Sequence, residues 1–141
     1  MPIQPVFAEG IEGTVQVLPQ YADGLRDLEG FERIWLIYLL HKAPPGQLRV
    51  VPFRDTTECG VFATRAPCRP NAIGLSCVRL LSVAGNVLTI GGVDVLDGTQ
   101  LLDIKPYVPK FDAFSNSLAG WCDKATPSAR THADDRFVRK E

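Results

Sequence analysis

The run Ile34-Trp35-Leu36-Ile37-Tyr38-Leu39-Leu40, followed by Ala43-Pro44-Pro45-Gly46, decides how the rest of the chain is read. It is rich in β-branched and aromatic residues, too short for a typical helix, and ends at paired prolines, which together predict a central strand and a turn. Upstream, Ile11, Gly13, Val15 and Val17 alternate with Glu12, Thr14 and Gln16 as far as Pro19, the pattern of a half-buried strand. Ala22–Glu29 reads as one short helix, and Leu48–Phe53 as the antiparallel return of the central run. Further short strands are expected at Val61–Ala63, Ser76–Val83, Val87–Ile90, Val93–Val95 and Leu101–Ile104. They are separated by Ala84-Gly85-Asn86, Gly91-Gly92 and Leu96-Asp97-Gly98-Thr99. Many short strands with close turns predict a mainly β fold: a small antiparallel β-barrel, which leaves no exposed edges, with one or two short helices. The 141 residues fit one core, here residues 1–112, with 113–141 an irregular C-terminal extension packed on or trailing from it.

Composition narrows the classes. Hydrophobic residues at 45% and charged residues at 22% describe a globular chain rather than a disordered one. No apolar run approaches the ~20 residues that span a bilayer, and the N-terminus lacks a basic and apolar leader. A cytoplasmic, unexported protein is expected, with no membrane contact. Cys59, Cys68, Cys77 and Cys122 lack the close pairing of zinc ligands, so reduced, structural thiols and no metal are expected.

A net charge of −1, from 15 basic and 16 acidic side chains, makes no global case for a polyanion partner. The distribution is more informative. Residues 1–41 are acidic, residues 42–79 carry Lys42, Arg49, Arg54, Arg65, Arg69 and Arg79 against Asp55 and Glu58, and no Asp or Glu occurs from Cys59 to Val93. Pro67 and Pro70 stiffen the part of this stretch that holds Arg65, Arg69 and Asn71. Two guanidiniums and an amide there form a fork for a carboxylate, a phosphate or a nucleobase edge. The competing expectation is an internal ion pair of Arg69 with an acid such as Asp97. Downstream, Asp94, Asp97 and Asp103 cluster around an Asp97-Gly98 turn signal without the calcium-loop pattern. A carboxylate beside exposed turn N–H groups suits sugar hydroxyls and adenine edges. His41, beside Lys42 at the end of the central run, is either structural or part of a site. Rossmann, P-loop, zinc-protease and serine-esterase motifs are all missing, which removes the usual support for those chemistries.

Three ordered motifs resemble one family: Phe62-Ala-Thr-Arg65-Ala-Pro-Cys-Arg69-Pro-Asn71-Ala-Ile-Gly-Leu-Ser76, Asp94-Val-Leu-Asp97-Gly98-Thr99, and Leu102-Asp103-Ile-Lys105-Pro106-Tyr107. Together with Gly24–Phe31 and the Trp35–His41 run, they resemble the TsaA-like domain from about Pro2 to Asp112. Ala72 and Gln100 stand where that family usually has proline, and the length leaves no room for the C-terminal domain of bacterial members. The resemblance implies a β-barrel methyltransferase that uses S-adenosyl-L-methionine without a Rossmann fold. Characterised members act as homodimers on N6 of threonylcarbamoyladenosine beside the tRNA anticodon, with the cofactor near the subunit interface. Carried over, the cofactor contacts are Pro2, Ile3, Gln4, His41, Lys42, Arg69, Leu96, Asp97, Gly98 and Thr99, joined by Arg65 and Asn71 of the proline-braced loop.

Methyl transfer from a sulfonium is an in-line displacement, so the protein's main task is alignment. Asp103, Lys105 and Tyr107 are the candidates to orient or deprotonate N6. The competing expectation for Asp103 is a buried salt bridge with Lys105 or an arginine. A rival from another class is a non-catalytic RNA-binding barrel using Arg65, Arg69 and Arg79 for phosphates and Phe62 for stacking.

Overall fold

A computed structural model of the chain describes residues 4–53 and 55–124. A five-stranded antiparallel sheet is built from β1 (Glu12–Gln16), β2 (Arg33–Leu39), β5 (Ile73–Ala84), β6 (Val87–Gly91) and β7 (Leu101–Pro106) in the order β1-β6-β5-β2-β7. A two-stranded ribbon pairs β3 (Arg49–Val50) with β4 (Cys59–Gly60). The central run is a strand, as expected, and alternates half-buried and buried residues along its length. Its neighbours are β5, through Ile34↔Val78, Leu36↔Ser76 and Tyr38↔Gly74, and β7, through Trp35↔Lys105 and Ile37↔Asp103.

β5 is long enough to serve two partners. Its first half pairs with β2; its second half continues past a register slip between Leu80 and Ser82 and pairs with β6. The core lies on the inner face, where Ile34, Leu36 and Tyr38 meet Val78, Leu88, Ile90 and Leu25. A second cluster, Val50, Val61, Ala66 and Cys68, is buried beside the ribbon. One α-turn, α1 (Pro109–Asp112), follows β7.

Several expectations are corrected. Ala22–Glu29 is not one helix but two 3-10 segments, Pro19–Leu25 and Leu28–Gly30, interrupted by Asp27 in the left-handed region at φ 66°. Leu48–Phe53 does not return against the central strand. Only Arg49–Val50 is strand, it pairs with β4, and Pro52 supplies no ladder donor. Val61–Ala63 is a 3-10 turn closed by the Thr64 hydroxyl, which donates to the Val61 carbonyl at 2.9 Å. Val93–Val95 forms no strand, because Gly92 turns the chain at φ 79° and Asp94 is drawn inward. β1 and β7 end the sheet order without pairing to each other, so the barrel expected from the turns is not closed by the strand pairings of the described residues. Of the C-terminal extension, 125–141 lies outside the described residues. Among the described residues, no helix is long and apolar enough to cross a membrane, and no group of three His, Cys, Asp or Glu side chains could hold a metal ion.

Candidate functional site

One end of the sheet gathers segments that are far apart in sequence. Beyond the end of β2, the Leu39 N–H donates to the Gln100 carbonyl at 2.9 Å and the Leu40 N–H to the Ala72 carbonyl at 2.7 Å. His41 and Lys42 therefore follow directly from a strand end flanked by the Asn71 and Thr99 segments. Both are exposed. The Thr99 N–H closes a turn on the Leu96 carbonyl at 3.3 Å, and Gly98 takes φ 76°, the left-handed conformation that its missing Cβ permits. That turn leaves Asp97 and Gly98 exposed.

The proline-braced loop is held from within. Nη1 of Arg69 lies within donor distance of three carbonyls of its own loop: Val61 at 3.1 Å, Thr64 at 2.7 Å and Ala66 at 3.3 Å. Its guanidinium carbon stands 5.9 Å from the centroid of the exposed Phe62 ring. The expected ion pair with Asp97 is absent; backbone carbonyls take its place. Arg69 is thus a clamp on the loop, and its remaining N–H groups are the part that can face a ligand. Beneath the loop, Gly46 lies so close that an added Cβ would sit 3.1 Å from the Arg69 carbonyl oxygen. From outside, the Trp121 Nε1–H donates to the Ala63 carbonyl at 2.8 Å, docking the start of the C-terminal extension on the same loop.

Arg65 is the exposed guanidinium, and its Nη1 donates to Oε1 of Gln4. This contact brings the N-terminal segment to the loop. Pro2 and Ile3 lie outside the described residues.

A buried polar chain missed from sequence lies beside this group. The Tyr38 hydroxyl is 2.8 Å from Ser76 Oγ, which donates to Asp94 Oδ1 at 2.7 Å. Tyr38, Ser76 and Asp94 are 8%, 1% and 8% exposed. Burial pushes the Asp94 carboxyl above its ordinary range, against the Ser76 hydroxyl, its own backbone N–H and the Arg65 charge, all of which lower it. Burial likewise raises the Tyr38 phenol, opposed by the Ser76 bond and reinforced by the Asp94 charge. Gly74 permits the arrangement, because a Cβ there would overlap the Tyr38 ring. The available sequence signal was a polar Ser76 in phase with the core-facing residues Gly74 and Val78.

The catalytic candidates sit elsewhere. Side chains of directly paired residues share a face, so Asp103 and Lys105 project from the outer face with Ile37 and Trp35, opposite the face that holds Tyr38 and Ser76. Asp103 and Lys105 do form an ion pair at 3.1 Å, but an exposed one rather than the buried pair expected. The Tyr107 ring packs edge-on against Trp35 with centroids 5.7 Å apart. One chain therefore joins most of the cofactor candidates and keeps the catalytic ones apart from them. Arg79 pairs with Arg33, six residues along β5 from Ile73, or roughly 20 Å at strand rise, so Arg65, Arg69 and Arg79 form no single basic patch.

The site admits the group that the resemblance implies. A buried carboxylate suits a cation or a sugar hydroxyl, exposed guanidinium N–H groups suit a carboxylate, and the Gly98 turn lets a ligand approach the backbone. Comparison with known proteins bears on the family rather than on single residues of the site. The family model described as the tRNA-methyltransferase O N-terminal domain matches residues 1–113. A probable S-adenosyl-L-methionine-binding protein of Pyrococcus abyssi is 51% identical over 135 residues, covering 96% of this chain and 73% of the relative. The tRNA (adenine(37)-N6)-methyltransferase of Escherichia coli is 35% identical, covering 89% of this chain and 57% of that protein. The crystal structure of TrmO from Pseudomonas aeruginosa superposes with a TM-score of 0.70 at 41% identity, over 84% of this chain and 52% of that one. The chain thus spans about half the length of that solved relative.

Proposed function

The chain belongs to the tRNA-methyltransferase O N-terminal domain family, and from that premise we propose that it is an S-adenosyl-L-methionine-dependent methyltransferase acting on N6 of adenosine 37 in tRNA. The substrate nucleoside in this reading is threonylcarbamoyladenosine. Its N6 proton lies between a purine and a carbonyl and needs only a weak base. The observation that carries the proposal is the convergence of Gln4, Arg65, the clamped Arg69 loop, the strand end before His41 and the Leu96–Thr99 turn at one end of the sheet. In this reading, that end of the sheet offers a nucleoside cofactor with a charged amino-acid tail guanidiniums, turn N–H groups and a carboxylate together.

When bound, the cofactor supplies an electrophilic methyl group on a sulfonium. The chain's own part is to hold and orient. Arg65 and the free side of Arg69 bind the anionic end, His41, Lys42 and Asn71 border the site, and the Leu96–Thr99 turn presents N–H groups to a base or ribose. Asp103, paired with Lys105, receives the N6 proton or steers it to solvent, and Tyr107 with Trp35 offers an aromatic surface to a purine. Because these outer-face residues point away from Asp94, the working unit is a homodimer in which the partner's outer face completes the site. The exposed Ile73, Leu75 and Leu81 on that face support a covered surface. The protein works where tRNA matures, in the cytoplasm, with residues 1–112 as the catalytic unit and 113–141 as an extension.

The test combines calorimetric titration of S-adenosyl-L-methionine with mass spectrometry of tRNA nucleosides after incubation with the protein. Binding together with a new N6-methyl nucleoside is the expected result. Salt-sensitive RNA binding without cofactor affinity would instead favour the non-catalytic RNA-binding reading.

A further inference from the structure

We propose that Trp121, in the C-terminal extension, is a positioning residue of the cofactor site: its indole holds the Ala63 carbonyl and so fixes the backbone that carries Arg65 to the cofactor's carboxylate. The inference rests on the cofactor reading above and gives the extension a part in it.

Arg65 is exposed, so where its guanidinium reaches depends on how firmly its backbone is held. The carbonyls on both sides of it are occupied. Arg69 Nη1 lies 2.7 Å from that of Thr64 and 3.3 Å from that of Ala66, and the Ala66 N–H donates to the Thr64 hydroxyl at 3.2 Å. The Ala63 carbonyl is taken from outside the loop, by Trp121 Nε1–H at 2.8 Å, 58 residues away in sequence. An indole nitrogen can only donate, so the bond has one direction.

The indole is itself built into place. Asp123 Oδ2 accepts the Ala119 N–H at 2.8 Å, and the Cys122 N–H donates to the Ala119 carbonyl at 3.1 Å, which fold Gly120–Asp123 into a 3-10 turn. Farther back, Asp112 Oδ2 accepts the Val108 N–H at 2.8 Å and the Trp35 Nε1–H at 3.5 Å, fastening the chain just before the extension to β2. The chain is therefore tied to the sheet at Asp112 and to the cofactor loop at Trp121. Trp121 lies beyond residues 1–113, which the family model matches. A guanidinium on a backbone already fixed loses less entropy on closing over a ligand, so the Trp121 bond strengthens carboxylate binding without touching the cofactor.

The experiment titrates two ligands by calorimetry: S-adenosyl-L-methionine and its decarboxylated analogue, which keeps the adenosine and the sulfonium. The proteins are the native chain, Trp121→Phe, Arg65→Ala and the Arg65→Ala/Trp121→Phe double variant, with circular dichroism to check folding. Trp121→Phe removes the N–H donor and keeps an aromatic ring. It should bind S-adenosyl-L-methionine about fivefold more weakly, the scale of one neutral hydrogen bond, and bind the analogue as the native chain does. In the Arg65→Ala background the same change should have no effect on either ligand. A merely structural role would weaken both ligands alike and persist without Arg65. Either result, or native affinity for S-adenosyl-L-methionine in Trp121→Phe or Arg65→Ala, would overturn the inference while leaving the cofactor reading intact. Where the analogue binds too weakly to titrate, the double variant decides. No binding of S-adenosyl-L-methionine by the native chain would overturn the cofactor reading and this inference with it.

Discussion

At the scale of single residues, burial and hydrogen bonding oppose each other at Asp94, and the balance sets a pH dependence. Its folded pKa is raised, so between the ordinary carboxylate value and the folded one the native state holds more proton than the unfolded chain. Stability therefore falls as pH rises through that window and then levels off. Urea unfolding of the native chain and Asp94→Asn from pH 4 to 8 should show the native chain losing ground to the variant as pH increases. A constant difference across that range would mean that the carboxyl is not perturbed. Asp94 was visible in the sequence as one of three clustered acids, but its partners Tyr38 and Ser76 are 56 and 18 residues away, and only cross-strand pairing brings them together.

At the scale of elements, the 61–69 loop is the clearest case of a charged side chain spent on its own backbone. A guanidinium presents planar, fixed N–H groups, whereas an ammonium is a point donor on a flexible stem. Arg69→Lys is expected to keep the charge and lose most of the clamp on Val61, Thr64 and Ala66. The change should cost about 1–2 kcal/mol of local stability, read as faster amide exchange across residues 61–66, with weaker cofactor binding as the consequence. Unchanged exchange there would show that Pro67 and Pro70 suffice. The sequence marked this loop as proline-braced and basic, and the structure adds the Arg69 bonds to its own carbonyls. Its 3-10 turn and the docking of Trp121 were not legible, because both depend on carbonyls whose direction is set only after the loop closes.

At the scale of the whole molecule, the sheet has an inner face that forms the core and an outer face that leaves Ile73 at 47% and Leu75 at 51% exposed. The catalytic candidates lie on this outer face, and the proposed homodimer is tested there. Leu75→Glu should leave thermal stability within about 0.5 kcal/mol, as for surface substitutions generally. It should also convert a dimer to monomers in sedimentation and abolish methyl transfer. A native chain that sediments as a monomer and still transfers methyl groups would place the whole site within one chain.

What the sequence determined by itself was local: the strand character of Ile34–Leu40, Ser76–Val83, Val87–Ile90 and Leu101–Ile104, each inside or overlapping an observed strand, the glycine turn at 98, and the family motifs. Each of these is written in residue types a few positions apart, where backbone sterics and alternation act directly. The tertiary structure decided the rest: which strand neighbours which, that Arg69 clamps carbonyls rather than an acid, that Asp94 is buried, and that Asp103 and Lys105 face away from it. Those outcomes depend on pairing register across the sheet, where a shift of one residue exchanges the two faces.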